Sequence, residues 1–319
     1  MNIQQGLRDR RVLNKNWSLV KRHNALSQRA SIIQNIRKFF IKRGYLEVET
    51  PYLIPSPSPE AHINPVVCGY WFLHTSPEIC MKRLLAAGYE KIFQICRCWR
   101  EGERGNKHIP EFTILEWYRS NIDYKELMKE TEELILEVSE SMGFKEKIKY
   151  QGKEIDLSIP WEMISVNEAF DRFTNLTLKE TLEMDVFDEL MVERIEPNLG
   201  IKKPTFIYDY PIERSSFAKA KAEDPSLAER FELYMGGVEI ANGFSELIDP
   251  DEQRKRFEIE NNIRKRLSKP VYPLPEKFLN ELGQMPPSAG IALGIDRLVM
   301  VFLDKDSIDD VVSFTPEDL

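Results

Sequence analysis

Chemistry is concentrated in the stretch RCWREGERGNKHIPEFTILEWYR, residues 97–119, which gathers Arg97, Arg100, Arg104, Lys107 and His108 in a strand–loop–strand pattern and then sets Glu116 among aromatic residues. Alternation along the second strand puts Phe112, Ile114, Glu116 and Tyr118 on one face and Thr113, Leu115 and Trp117 on the other. A carboxylate in so apolar a setting costs about several kcal/mol unless it is paired or neutralised by a raised pKa, so Glu116 is expected to meet a cation, either an internal Arg or Lys or a ligand. The loop cations call for an anion. A ligand carrying both charges answers both demands.

A second constellation is RFELYMGGVEIANGFSEL. Gly236-Gly237 signals a two-residue hairpin that pairs Met235 with Val238, Tyr234 with Glu239 and Glu232 with Ala241. Glu232 and Glu239 then lie diagonally on one face, where hard oxygen ligands beside a phosphate make a magnesium seat. Strict alternation sends Asn242 to the face opposite Glu239. If both serve one site the strand must bulge, with Gly243 the expected place.

In a third, GIALGIDRLVMVFL, Gly290 and Gly294 thin a strand and Asp296-Arg297 open a helix. A cation in a first helical turn opposes the helix dipole, so Arg297 is expected to be held by an anion or a ring. The C-x-C of Cys96 and Cys98 lacks a second close pair or a histidine cluster nearby in sequence, and reads as small strand residues rather than metal ligands.

The elements that position these groups alternate irregularly. Helical spacing of Ile32, Ile33, Ile36, Phe39 and Phe40 predicts a helix from Ala30 to Gly44, then a short strand ending at Pro51. Residues 55–65 read as loop, and Ser76-Pro77 starts a helix stopped by Gly88. Strands are expected at 91–100 and 111–119, a helix at 123–142, a broken helical region at 161–200, strands at TFIYDYP and in the Gly-Gly hairpin, and a helix at 251–268. Hairpins mixed with long excursions predict an α+β domain around a mainly antiparallel sheet flanked by helices.

Composition sets outer limits. The 319 residues carry 42% hydrophobic content, enough for a substantial core. Lys plus Arg number 44 against 52 acids, so net charge lends nothing to a general nucleic-acid-coating role. Residues 8–29 are nonetheless basic, with Arg8, Arg10, Arg11, Lys15, Lys21, Arg22 and Arg29 against Asp9. Four cysteines and the absence of a signal-like opening suggest a reducing cytoplasm, and no apolar run is long enough to span a bilayer.

Taken together, RGYLEVETP, CRCWREGERGNKHIPEFTILEWY and GIALGIDRLVM, with TSPEICMKRLL and GGVEIANGFSEL between them, resemble the class II aminoacyl-tRNA synthetases, and within them the lysyl branch. The likeness runs from about Arg29 to Phe314. It implies ATP and Mg2+ as cofactors and a homodimer paired through residues 32–51. It also implies roles. Arg100 and Arg297 are the catalytic cations. Arg100 grips the α-phosphate, Phe112 and Arg297 sandwich adenine, Lys107 and His108 reach the outer phosphates, and the acid at Glu103, displaced by one from the usual Arg-Asn-Glu, lies on the nucleotide side. Glu232 and Glu239 hold the metal. Ser76, Glu78, Glu116, Tyr118, Asn242, Glu246 and Ala292 line the amino-acid pocket.

Fewer than 30 residues precede the start of the likeness at about Arg29, too few for an anticodon-binding barrel. The expected organisation is a basic arm, 1–27, and a catalytic domain, 28–319. This, with HTSPE, LEWYR and Ala292 where synthetases have Gly, is similar to the paralogues that activate (R)-β-lysine or lysine as the adenylate and transfer it to a lysine of elongation factor P. In that reading tRNA is not the acceptor, and the arm is a candidate docking surface for an acidic protein. Two alternatives are a minimal synthetase that charges tRNA and a non-catalytic regulatory relative. The retention of Arg100, Arg297, Glu232 and Glu239 weighs against the second. An aspartyl-branch paralogue would want a basic pocket, which Glu78, Glu116 and Glu246 oppose.

Overall fold

A computed structural model describes residues 17–319, with side chains from residue 19 onward. Its centre is an eight-stranded sheet. The strands, in chain order, are β1 (Leu46–Glu47), β2 (Lys91–Trp99), β3 (Glu111–Ser120), β4 (Glu162–Ser165), β5 (Thr205–Pro211), β6 (Leu227–Met235), β7 (Val238–Ser245) and β8 (Ser288–Gly294). They lie in the order β1-β2-β3-β8-β7-β6-β5-β4. The edge strands β1 and β4 pair parallel with their neighbours and the pairs between are antiparallel.

Period-two burial divides the sheet into two faces. Phe93, Leu115, Trp117, Leu233, Met235, Ala289, Ile291 and Leu293 point to the back, where α1 (Trp17–Lys42), α3 (Tyr124–Ser141) and α6 (Ile295–Phe302) close the main core. Ile32, Ile36, Phe39 and Phe40 of α1 are fully buried there. An Asp123/Glu126 capping box starts α3. Across the front, α2 (Glu78–Ala86), α4 (Pro250–Arg266) and α5 (Glu276–Leu282) cover one end through Met81, Leu85, Phe257 and Phe278. At the other end the short helices between 166 and 199 cover Ile207, Tyr210 and Tyr234 through Phe170, Phe187 and Ile195, and the cavities lie between these two covers.

Three expectations shift. The helix placed from Ala30 already runs at Trp17, because Ala25 is buried and Arg22 and Arg29 are tied to Asp318 and to Asp296 and Thr113. The basic run is therefore partly used within the fold, while Arg8, Arg10, Arg11 and Lys15 lie outside the described residues. The 161–200 region opens with β4, which tertiary pairing with β5 holds extended, before three short helices and a π-helical turn, Met191–Ile195. A hairpin, Lys147–Tyr150 with Lys153–Asp156, was not foreseen.

Candidate active site

The alternation expected along β3 is present: Phe112, Ile114, Glu116 and Tyr118 face the front cavities, while Leu115 and Trp117 are fully buried behind. Across the ladder Ala292 of β8 stands opposite both Glu116 and Asn242. Two adjoining cavities share Glu60, Arg100, Ile114, Asn242 and Ala292 as lining.

The first cavity is lined by the carboxyl groups of Glu60, Glu78 and Glu116 together with Arg100, Arg214 and Arg230. Glu116, 1% exposed, accepts hydrogen bonds from Ser76 Oγ at 2.6 Å and Tyr118 OH at 2.7 Å. Among the described residues no Lys or Arg forms an ion pair with it, so the internal cation is not its partner. Burial, reinforced by the nearby Glu78 charge, pushes its pKa up to about 8. An internal cation does occur, one step away: Lys82 Nζ lies 2.6 Å from both Glu78 Oε1 and Glu246 Oε2 and stands over the rings of Phe217 and Phe244. Burial acts to strip its proton, but the two carboxylates more than offset this and keep it charged. Burial likewise raises Glu246 to about 8 against the pull of Lys82. Gly290 admits this arrangement, since a Cβ there would stand 2.3 Å from the Tyr118 ring and 2.5 Å from Glu246 Oε1.

The second cavity gathers Arg100, Lys107 and Arg297 with the acids Glu60, Glu103, Glu239 and Asp296. Arg100 lies over Phe112 at 4.9 Å, and its buried Nε has no hydrogen-bond partner. Glu103 Oε1 approaches Arg100 Nη1 at 3.8 Å. Arg297, expected to need an anion, donates from Nη1 to Glu239 Oε2 at 2.8 Å, and its Nη2 lies 2.7 Å from His108 Nε2. A guanidinium can only donate, so His108 accepts through Nε2 and is neutral; burial and then Arg297 lower its pKa. Lys107, its pKa lowered by burial, donates to the Gly237 carbonyl at 2.8 Å. Against the upward pull of burial, Arg297 holds Glu239 below the usual carboxylate range.

Gly236 and Gly237 both have positive φ, and the hairpin register follows expectation at Met235–Val238 and Tyr234–Glu239. It then departs: Leu233 pairs with Ala241 and Glu232 with Asn242, so the bulged residue is Ile240 rather than Gly243. Gly243 is glycine for packing, because a Cβ there would meet the Phe231 ring at 2.7 Å. The bulge turns Asn242 to the front with Glu239. Glu232 is enclosed: Tyr210 and Tyr234 hydroxyls donate to Oε2 at 2.7 and 2.8 Å, and Arg230 Nη2 to Oε1 at 2.6 Å. Burial and then the Glu239 charge raise its pKa. It lines a neighbouring cavity with Glu196.

Sequence reading overlooked Glu60, Lys82 and Arg230. Lys82 sits four residues after Glu78 on a helix, a spacing that does signal an ion pair; Glu60 lies in an aperiodic Pro-rich loop. Cys96 and Cys98 pack against Ile114 and Phe112, and the structure adds buried His74, whose ligand atom lies within 4.8 Å of both sulfurs. The ring already makes a 2.7 Å hydrogen bond with the Arg97 carbonyl through Nε2.

Comparison with known proteins gives a consistent result. The family model for class II tRNA synthetases (D, K and N) matches residues 8–318. A Proteus mirabilis protein named elongation factor P–(R)-beta-lysine ligase is 41% identical over 307 residues, covering 91% of this chain and 94% of that protein. Ligases of the same name from Salmonella gallinarum and Salmonella dublin are each 40% identical with the same coverage.

Proposed function

The chain belongs to the class II tRNA synthetases of the D, K and N type, and on that premise we propose that it is an ATP-dependent ligase that activates (R)-β-lysine or lysine as the adenylate and transfers it to a lysine of elongation factor P. The observation that carries this reading is the cavity pair. One side offers Glu116 and Glu78 to ammonium groups, while Glu246, expected beside them, stands outside that lining and is bound to Lys82; the other side offers Arg100, Lys107 and Arg297 to phosphates.

Arg100 Nε is buried without a hydrogen-bond partner where the two cavities meet, and Glu116 is buried without a cation in the first, as a ligand with an anionic middle and an amine end requires. In the first half-reaction the substrate carboxylate attacks the α-phosphorus and pyrophosphate leaves. Arg100 steadies the charge developing at that phosphate, and Phe112 with Arg297 flanks the base. Lys107 and neutral His108 donate toward the outer phosphates, with Glu103 fixing Arg100. Magnesium at Glu239 and Glu232 would neutralise phosphate charge, and the mutual repulsion of these two acids suits a divalent cation. Ser76 and Tyr118 orient Glu116 on a substrate amine, Asn242 and Ala292 limit the pocket between them, and no enzyme nucleophile is needed.

The proposal extends to a catalytic unit spanning 28–319, a cytoplasmic homodimer, and a protein rather than tRNA acceptor. No helix among the described residues is long and apolar enough to cross a membrane. The test is mass spectrometry of elongation factor P incubated with this protein, ATP and each lysine isomer, with tRNA in a parallel reaction. One added lysyl group on the protein and none on tRNA is expected. Acylated tRNA with unmodified protein would overturn the reading.

A further inference from the structure

The segment at 55–65 contains no regular structure, yet it is fastened. Arg264 of α4, fully buried, donates from Nη1 to the carbonyls of Glu60 at 2.8 Å and Ile63 at 3.0 Å, and from Nη2 to Asn64 Oδ1 at 2.8 Å. Glu260 Oε2 accepts the Ala61 N–H at 2.7 Å, and the Glu101 N–H donates to the Asn64 carbonyl at 2.7 Å. These bonds hold Glu60, half-buried, where the two cavities meet, beside Arg100. In the proposed ligase reaction the acyl–phosphate bond would be made and then broken at that boundary. The charged groups acting on Glu60 are Glu78 from α2, Arg100 from the end of β2 and Glu260 from α4. Burial and then Glu78 raise its pKa to about 7, with Arg100 opposing.

We propose that Glu60 is the general base of the transfer half-reaction, taking the proton from the acceptor lysine as its nitrogen attacks the adenylate. The inference rests on the proposed ligase function. An ammonium nitrogen has no lone pair, and a lysine in water is almost wholly protonated at neutral pH. The carboxylate removes one proton, the nitrogen forms the C–N bond, the C–O bond to the phosphate breaks with its electron pair leaving on AMP, and the second proton lost from nitrogen passes to solvent. Glu60 then gives up its own proton to water. A base that titrates near neutrality suits this work: it is ionised often enough to accept, and although an ammonium yields its proton to such a base unfavourably, formation of the C–N bond draws the transfer to completion.

The experiment compares two acceptors on preformed adenylate in single turnovers: elongation factor P, and hydroxylamine, whose nitrogen is already unprotonated at pH 7. Glu60→Gln is expected to slow acylation of elongation factor P about 100-fold, while hydroxamate formation falls less than about tenfold, an order below the general-base effect. Glu60→Asp, which keeps the carboxylate, should recover most of the protein transfer. The wild-type transfer rate should rise with pH and level off near 7, whereas the Gln variant should keep rising. Equal slowing with both acceptors, or no slowing with either, would overturn the inference. Failure of the wild type to form any lysyl adenylate would instead overturn the ligase function, and the inference with it.

Discussion

Lys82 places its ammonium 2.6 Å from the carboxylate of Glu246, with neither side chain reaching solvent. An amine of the chain's own thus stands behind the pocket expected to receive a substrate amine, bound to Glu78 of its lining. Lys82→Met would leave two acids without their counter-ion, and a loss of about 3 kcal/mol in unfolding free energy is expected. Urea denaturation should show it, and adding Glu246→Gln to the same chain should recover part of the loss. Additive losses in the double variant would break the link between the two residues.

Glu116 stands near 8, above the ordinary 4.5, so the folded chain binds more protons than the unfolded chain between those values. Its contribution to stability is therefore fully present below the unfolded pKa and is lost as pH rises through about 8, at up to about 1.4 kcal/mol per pH unit. Ligand-free protein should melt lower at pH 8 than at pH 6. An ammonium arriving at Glu116 forces ionisation, so amino-acid binding at pH 7 should release close to one proton. Calorimetry in two buffers of different ionisation enthalpy measures it; identical heats would contradict it.

Glu239→Gln removes the acid that Arg297 grips and that the phosphate side presents. ATP–pyrophosphate exchange should fall at least tenfold, with a higher magnesium requirement. Unchanged exchange would take Glu239 out of the metal site.

Ala292 stands between Glu116 and Asn242 in the ladder and lines both cavities. Ala292→Gly should shift preference toward α-lysine by about tenfold, the worth of one methyl group in a pocket. Competition between the two isomers in the exchange assay gives the ratio directly.

The segment at 32–51 was expected at a two-fold interface. Its Ile32, Ile36, Phe39 and Phe40 are buried in the chain's own core, which leaves Ile41 and Leu46 as its exposed apolar side chains, 60% and 50% accessible. Ile41→Asp with Leu46→Asp should lower the molar mass seen by light scattering at micromolar concentration to that of one chain. A dimer surviving both substitutions would move the interface elsewhere.

Local periodicity explains what the sequence made legible. The front face of β3 follows from alternation alone, and the Gly236-Gly237 turn from its two positive-φ positions. The need for a bulge was also legible, because Glu239 and Asn242 have opposite parity in a regular strand. Its position was not, since Ile240 differs from its neighbours only in how it meets β6, while Gly243 answers to the Phe231 ring. Glu60 left no trace because the loop that carries it has no period, and its position comes from Arg264, some two hundred residues along the chain. The union of Lys82 with Glu246 is likewise a product of folding, joining α2 to the end of β7.

The bulge at Ile240 acts as a frameshift within a single strand. Residues before it meet in one phase the cavity that Arg297 lines, and residues after it meet in the other phase the cavity that Glu116 lines, so β7 faces both where a regular strand would turn its two ends in opposite directions. The two ends are consequently separate in design. Side chains beyond Ile240 can be exchanged to suit a different amine without changing which way Glu239 points, and removal of that one residue would turn one end over as a block.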